Sequence, residues 1–350
     1  MDQSPTITGL GESKEKVGRI DLNPSETIPI GHTSVRVTRL GLGGASLGNL
    51  YSPISNEQAQ STIDRALDLG VRYIDTAPLY GSGLSEYRIG NAIKTRSPKQ
   101  LTISTKVGRL LKPSASTRIS QFPGSPSLEP YFDFSQKGII SSYESSLQRL
   151  GVSSADILLI HDPDDHLDQA IHHSYPALVE LRSKGRVQAI GLGTNDWKKA
   201  LYILKECPSL DCVLLAGRYT LLEQGALAEF LPYCLAKGIG VIIGGPFNSG
   251  ILSSDLNSTS VLKYNYTSAP IDVLQKARRI NAVCERFGVS LKAAALQFIL
   301  AHPAIVSVIP GSRSPEEVEE NFSLATQVIP HQLWEEMKQH RLIVRDSPTE

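Results

Sequence analysis

The amino-acid sequence predicts an α/β fold of the (β/α)8, or TIM, barrel class. The chain has 350 residues, and a single large barrel commonly runs past about 250 residues. From about residue 39, short apolar runs rich in β-branched residues alternate with longer amphipathic stretches, which is typical of repeated βα units. Eight such runs occur, and polar residues follow most of them directly. In barrels, active sites lie at the C-terminal ends of the strands.

Each predicted strand is a nearly continuous apolar run. The runs are LGLGG (40–44), VRYIDT (71–76), LTISTKVG (101–108), ADILLIHD (155–162), VQAIGLGT (187–194), DCVLLAG (211–217), IGVIIGG (239–245) and AIVSVIPG (304–311). Parallel strands covered on both faces have this composition, and the short polar exits favour a closed barrel over a doubly wound sheet. Amphipathic segments around 56–69 and 84–95 predict the first two helices.

We expect one barrel over residues 31–345, preceded by a partly flexible N-terminal extension over residues 1–30. The last five residues are expected to be a mobile tail. One connection, residues 109–135, is rich in Pro and Ser and is unusually long for a loop. Because it leaves the third strand, we expect it to hang over the barrel mouth and shape the substrate pocket, with a passive insertion as the alternative.

Composition excludes several classes of function. Basic and acidic residues number 35 each, so the net charge gives no reason to expect nucleic acid or a membrane as partner. The four cysteines lack the paired spacing of a zinc site, which predicts free thiols in a reducing compartment. With no secretory signal and no apolar run of about 18 residues, we expect a cytoplasmic protein, either a monomer or a small homo-oligomer, acting on a small-molecule carbonyl or sugar.

Four polar residues stand at or just past predicted strand ends: Asp75, Tyr80, Lys106 and His161. A free tyrosine has a pKa near ~10, and a nearby ammonium would lower it. Lys106 ends an apolar strand, where a charge needs a partner, and Asp75 is the natural one. His161 could donate to a substrate oxygen. Each residue alone could instead be a cap, a packed turn residue or a surface residue.

The segments YIDTAPLYGSGLSEYRIGNAI, TISTKVG, DILLIHD and VQAIGLGTND resemble successive signatures of the aldo-keto reductase superfamily over roughly residues 31–327. The resemblance implies that Asp75, Tyr80, Lys106 and His161 form a catalytic tetrad, with Tyr80 as general acid or base. Three further segments, GLSEYRIGNAI, LLAGRYTLLEQ and GGPFNSGIL, most resemble the branch of D-threo-aldose, L-fucose and D-arabinose 1-dehydrogenases. Pyridoxal-oxidising and L-galactose-oxidising enzymes are nearly as similar.

This branch implies oxidation of the anomeric carbon of an aldose, such as D-arabinose, L-fucose or L-galactose, to a lactone by hydride transfer to NAD(P). One alternative is an NADPH-dependent aldehyde or ketone reductase of a biosynthetic pathway. Another is a cofactor-binding regulatory subunit, against which the complete tetrad argues.

The resemblance also implies a set of residues that bind the nicotinamide cofactor. They are Thr194, Asn195, Tyr219, Gly245, Phe247, Ser249, Gly250, Ser312, Arg313, Glu317, Glu320 and Asn321. Asn195 could instead cap the helix that follows. Relatives place an aromatic ring where Gly244 stands, so Tyr219 or Phe247 is expected to replace it beside the nicotinamide.

The choice between NAD and NADP depends on two charged residues. Glu317 occupies a position that is frequently arginine in NADP-preferring relatives, and a carboxylate there repels a 2′-phosphate but accepts a bond from a 2′-hydroxyl. A lysine common at the position of Gly311 is also missing. These departures slightly favour NAD, while Arg313 keeps NADP open.

The segment HDPDDHLDQAIHH (161–173) combines acids and histidines, yet we expect no metal site, because hydride transfer to a nicotinamide needs none. Asp164 or Asp165 is expected to cap the next helix, and Asp162 and Trp197 are expected to contact substrate. The short glycine motifs at 41–44 and 191–195 lack the spacing of a Rossmann fingerprint.

Overall fold

A computed structural model describes residues 22–96, 100–114 and 121–349. Its central sheet has eight strands, and every hydrogen-bonded pair of neighbours within it is parallel. The strands are β1 (Leu42–Gly43), β2 (Tyr73–Asp75), β3 (Thr102–Val107), β4 (Ile157–His161), β5 (Ala189–Thr194), β6 (Cys212–Ala216), β7 (Gly240–Gly244) and β8 (Ile305–Ile309). Parallel bridges from Leu40 to Val308 and from Gly43 to Gly311 join the first strand to the last. The predicted barrel is confirmed, and each strand lies inside its predicted run.

Helices connect the strands and cover the barrel. They are α1 (Asn56–Asp68), α2 (Leu84–Arg96), α3 (Gln136–Leu150), α4 (Tyr175–Ser183), α5 (Trp197–Glu206), α6 (Phe230–Lys237), α7 (Ile271–Arg286), α8 (Leu291–Leu300), α9 (Pro315–Ala325) and α10 (His331–Gln339). Capping side chains fix several starts: Ser55 accepts from the Gln58 N–H before α1, and Ser314 accepts from the Glu317 N–H before α9. Buried residues recur at helical spacing on α1, where Ala59, Ile63 and Ala66 face the sheet.

The lower end of the barrel is filled by its own side chains and by a hairpin that precedes the first strand. The hairpin pairs Thr27–Pro29 with Arg36–Thr38. Its residues Ile30, Val35 and Val37 pack against inward-facing strand residues such as Tyr73 and Leu159. Chemistry is therefore confined to the opposite, C-terminal end of the strands.

The long connection after β3 contains regular structure that the sequence did not reveal. Residues Arg109–Pro113 pair antiparallel with Leu128–Phe132, so the expectation of a loop throughout residues 109–135 was wrong; its residues 115–120 lie outside the described part. The Asp133 N–H donates to the Gly108 carbonyl at 3.0 Å, which holds the two ends of this hairpin together. We call the paired segments Arg109–Pro113 and Leu128–Phe132, together with the described residues 114 and 121–127 between them, the β3 hairpin.

Residues near the C-terminus are packed rather than mobile. Ser347 and Thr349 are buried, and Lys338 Nζ donates to Thr349 Oγ1 at 3.0 Å. The expected tail is therefore wrong for residues 346–349. The predicted N-terminal extension falls largely on residues 1–21, outside the described part. All four cysteines are buried and free, as predicted, and none of the helices in the described ranges is long and apolar enough to cross a membrane.

Candidate active site

The four residues predicted at strand ends come together at the mouth of the barrel. Lys106 Nζ lies between two of them, donating to Asp75 Oδ2 at 2.6 Å and to Tyr80 Oη at 3.0 Å. The His161 ring stands edge-on to the Tyr80 ring, with centroids 6.1 Å apart. Asp75 and His161 end β2 and β4, and Lys106 is the penultimate residue of β3. Parallel alignment of neighbouring strands places these side chains on one edge.

The Lys106–Asp75 ion pair is almost inaccessible to water, since the two side chains are 1% and 2% exposed. Ser104 Oγ donates to the second carboxylate oxygen of Asp75 at 2.7 Å, and Lys106 also donates to the Thr76 carbonyl at 2.9 Å. Burial raises the pKa of Asp75, and the nearby ammonium of Lys106 opposes that rise. A buried pair of this kind is stable only while both partners remain.

The pKa of Tyr80 does not move in the direction the sequence suggested. Burial raises it well above its ordinary value, with the carboxylates of Asp75 and Asp162 adding to the rise and Arg109 opposing it. At neutral pH the Tyr80 side chain is therefore a protonated phenol that can donate a hydrogen bond.

His161 is a neutral imidazole at neutral pH. Burial lowers its pKa well below the ordinary value, and the cations Arg109 and Lys106 lower it further. Its Nδ1 atom is buried without a hydrogen-bond partner in the described residues, while Nε2 lies 3.7 Å from Asp162 Oδ2. The ring is thus held by packing, with Nε2 on the side of the polar groups at the mouth.

The segment SEYRIG, quoted above for its family resemblance, has a clear structural role. Ser85 Oγ donates to the Gly44 carbonyl at 2.7 Å, and the Arg88 guanidinium donates to the carbonyls of Leu47 and Ile54. Glu86 is fully buried and accepts from Thr105 Oγ1 at 2.7 Å. These bonds tie α2 to the loop after β1 and to β3, and so fix the turn that carries Tyr80.

Two residues of the mouth were missed at the sequence level. Arg109, the first charged residue after Lys106, donates to Asp162 Oδ2 at 2.6 Å, and its place directly after a strand was a usable signal. Phe122 lies with its ring centroid 6.2 Å from that of Tyr80. Nothing in its sequence neighbourhood marks it, because its position depends on how the β3 hairpin folds back.

Of the predicted residues after β5, Asn195 remains available to a ligand. The helix cap there is Asp196, which accepts from the N–H groups of Lys198 and Lys199, so the alternative role of Asn195 as cap is wrong. No hydrogen bond forms from the Asn195 side chain to the described residues. Thr194 Oγ1, in contrast, already donates to Asp164 Oδ1 at 2.6 Å. The next helical turn, Leu167–Gln169, has His166 at its N-cap and no side-chain cap, so the expectation that Asp164 or Asp165 caps it was wrong.

Two aromatic residues expected at the ligand sites have packing contacts instead. Tyr219 is fully buried and stacks on Phe298 of α8, with ring centroids 5.2 Å apart and His302 at 5.4 Å. That position in the core does not support its predicted place beside a nicotinamide. Trp197 begins α5 with its indole against Gly225, in the loop after β6, and its contact with substrate stays a prediction.

The loop after β7 has a backbone suited to a close ligand approach. Asn248, Ser249 and Gly250 have φ values of 46°, 60° and 100°. All three are in the left-handed region, which residues other than glycine rarely adopt. Gly245 is exposed with φ 55°. The Gly250 N–H donates to the Phe247 carbonyl at 3.0 Å, so it is not free for a ligand. The exposed backbone of Gly245 fits the predicted pyrophosphate contact, and the contacts at Ser249 and Gly250 stay predictions. Phe247 lies against Lys292, 5.5 Å from ring centroid to Nζ.

The residues predicted for the adenosine end cluster after β8. Asn321 Nδ2 donates to Ser312 Oγ at 3.1 Å, and Asn321 Oδ1 is a buried acceptor without a partner in the described residues. Arg313 Nη1 donates to Ser52 Oγ at 2.7 Å, and the Arg313 N–H donates to Glu317 Oε2 at 2.8 Å. The unsatisfied acceptor and the flanking charges fit a nucleotide.

Glu320 pairs with Lys292 at 2.5 Å, and through Lys292 it is linked to Phe247. At Gly311 an added Cβ would lie 2.4 Å from Ser46 Oγ. That close approach gives a steric reason for the missing lysine.

Fold and site together define a barrel oxidoreductase with a half-buried tyrosine at its mouth. Residues 39–342 match the model of the Aldo/keto reductase family. The chain is 37% identical over 345 residues to a pyridoxal 4-dehydrogenase from Microbacterium luteolum, covering 92% of this chain and 99% of that protein. It is 38% identical over 314 residues to a D-threo-aldose 1-dehydrogenase from Pseudomonas sp, covering 88% and 95%, and 30% identical over 304 residues to an L-galactose dehydrogenase from Arabidopsis thaliana, covering 85% and 88%.

Among solved structures, an aldo-keto reductase from Bacillus halodurans in its holo form superposes with a TM-score of 0.71 at 24% identity, covering 91% of this chain and 96% of that one. The chain belongs to the aldo-keto reductase family. It is an oxidoreductase of the branch that includes aldose dehydrogenases. Members of this family use NAD(P)H.

Proposed function

We propose that the protein oxidises the anomeric carbon of an aldose, such as D-arabinose, L-fucose or L-galactose, to a lactone with NAD(P)+ as hydride acceptor. The observation that carries the proposal is the Tyr80 hydroxyl, 3.0 Å from Lys106 Nζ and beside His161 at the mouth. The similarity to proteins named for aldose and galactose oxidation supports the class of substrate.

In this mechanism Tyr80 Oη takes the proton of the anomeric hydroxyl. Lys106 holds the phenol oxygen in place and stabilises its charge as the proton arrives or leaves, while Asp75 holds Lys106. The neutral His161 ring donates a hydrogen bond to the reacting oxygen and so orients the carbon. The nicotinamide, when bound, accepts the hydride. Asn195, Gly245, Ser249, Gly250, Ser312 and Asn321 would hold the cofactor.

The substrate is tested by mixing the protein with NAD+ and D-arabinose, L-fucose, L-galactose or pyridoxal and following reduced cofactor at its absorbance band. We expect at least one aldose to be oxidised with a kcat/KM well above that of pyridoxal. Oxidation of pyridoxal alone, or of none of the four, would reject the proposal.

A second candidate function is reduction of aldehydes or ketones with NADPH. It is favoured by the raised pKa of Tyr80, since a protonated phenol is ready to act as an acid. In reduction, Tyr80 would deliver its proton to the carbonyl oxygen. Measured rates with NADPH and carbonyl substrates that exceed the oxidation rates with NAD+ would favour this direction.

Cofactor preference is expected to depend on Glu317. Its carboxylate, bound to the Arg313 N–H, would repel a 2′-phosphate and accept a bond from a 2′-hydroxyl. We expect the wild type to have a higher kcat/KM with NAD+ than with NADP+. Glu317→Gln is expected to shift the ratio of the two kcat/KM values toward NADP+ by about tenfold, which corresponds to about 1.4 kcal/mol. Glu319→Gln, on the same helix and half-exposed, is the control. An unchanged ratio in Glu317→Gln would remove Glu317 from cofactor selection.

A further inference from the structure

Arg109 and Asp162 form an ion pair at the mouth that the proposed chemistry does not use. Their side chains meet at 2.6 Å, and each is about one fifth exposed, 21% and 20%. The Lys106–Asp75 pair is 1% and 2% exposed. A ligand at the mouth can therefore reach the first pair but not the second.

The pair lies directly beside the proton-transfer residues. Asp162 Oδ2 is 3.7 Å from His161 Nε2, and the charges of Arg109 and Asp162 both act on Tyr80. Arg109 begins the β3 hairpin and its guanidinium sits 4.7 Å from the centroid of the Phe132 ring. A substrate bound at Tyr80 and His161 therefore lies beside this pair.

The backbone at Asp162 is strained in a way that serves its placement. Its φ is 45°, a left-handed conformation that costs a non-glycine residue about 1 kcal/mol. The Asp162 N–H donates to the Gly193 carbonyl at 2.8 Å, which holds the turn. Strain of this kind is concentrated at functional sites, and here it keeps the carboxylate beside His161.

The hydrogen-bonding capacity of the pair is only partly used. Among the described residues, Asp162 Oδ1 has no donor and Arg109 makes a single hydrogen bond, from Nη2. A hydroxyl group both donates and accepts, so a hydroxyl can bind the carboxylate and the guanidinium without separating them. An anionic substrate would be attracted by Arg109 and repelled by Asp162, so the neutral pair gives it no net advantage. An apolar substrate would desolvate the pair without compensation.

We propose that Arg109 and Asp162 recognise a neutral substrate that carries a hydroxyl on the carbon next to the reacting one. Asp162 accepts from that hydroxyl, and Arg109 holds Asp162 and donates to the hydroxyl oxygen. For aldoses, this inference rests on the proposed function. It adds that the substrate class is polyhydroxylated.

The test compares pairs of substrates that differ by this hydroxyl. D-arabinose and 2-deoxy-D-ribose are compared in oxidation, and 2-hydroxypropanal and propanal in reduction. We expect the wild type to favour the hydroxylated member by about 10- to 100-fold in kcat/KM, the value of one or two hydrogen bonds to charged groups. Asp162→Asn, which tolerates the left-handed backbone, is expected to bring the ratio to within about threefold of unity.

Arg109→Gln is the second variant, and it is expected to lose the same preference for the hydroxylated substrate. It tests the proposal independently if Asp162→Asn does not fold. Asp165→Asn removes an exposed carboxylate in the same segment, 92% exposed, and should keep the wild-type ratio. A ratio unchanged in both variants, or rates that fall equally for both members of a pair, overturns the proposal. If the wild type oxidises no aldose, the proposed function fails, and the comparison of 2-hydroxypropanal with propanal still decides the role of the pair.

Discussion

Tyr80→Phe is expected to lower kcat by about 10²- to 10⁴-fold, the usual contribution of a general acid or base. Removing one oxygen atom takes away the group 3.0 Å from Lys106 Nζ that we propose exchanges the proton, while the ring keeps its contacts with Phe122 and His161. Steady-state kinetics in both directions measure the loss, and quenching of protein fluorescence by NADH checks that cofactor binding is retained.

The pH dependence gives a second, independent readout of Tyr80. Oxidation needs the phenolate, and burial raises the pKa of Tyr80 well above its ordinary value. The phenolate fraction is therefore small at pH 7 and grows tenfold for each pH unit, so log kcat/KM for oxidation should rise with a slope near one through the alkaline range. Reduction needs the phenol and should stay level there. Tyr87→Phe, at an exposed position, should behave as wild type. A slope that persists in Tyr80→Phe would assign the proton transfer to another group.

Lys106→Met is expected to destabilise the protein by about 3 to 5 kcal/mol, because it leaves the Asp75 carboxylate buried without a counter-charge. The Asp75 side chain is 2% exposed, so water cannot replace the lost ammonium. Asp75→Asn should destabilise by a similar mechanism, whereas the double variant should lose less than the sum of the two. Urea unfolding midpoints measure these differences.

The control for this series is Asp165→Asn, whose ion pair with Lys199 is at the surface and is worth at most about 1 kcal/mol. Equal midpoints for Lys106→Met and the wild type would mean that Asp75 takes up a proton when its partner is removed. The pair would then be needed for activity but not for stability.

The barrel and the convergence of four polar residues were predictable for the same reason. Eight apolar runs define parallel strands, and parallel strands end together, so Asp75, Lys106 and His161 had to meet once the strand ends were located. Tyr80 came with them because it lies only five residues past Asp75. These are consequences of local sequence and of one topological rule.

What could not be predicted depends on long-range packing. The β3 hairpin has no alternating hydrophobic pattern, and its pairing brings Phe122 to Tyr80 across many residues. Tyr219 lies just past the end of β6, yet the Gly217 turn, with φ 64°, leads its ring into the core against Phe298. The direction of the Tyr80 pKa depends on the burial of its surroundings, which no spacing of residues reveals.

The β3 hairpin leaves and rejoins the barrel at one point, where the Asp133 N–H meets the Gly108 carbonyl. Its ends are adjacent, so a segment of different length or sequence can be exchanged there without displacing the strand that carries Lys106. The substrate range can thus change without a change in the proton-transfer residues. A replaced hairpin would bring a new residue in place of Arg109 while Asp75, Lys106 and His161 keep their positions.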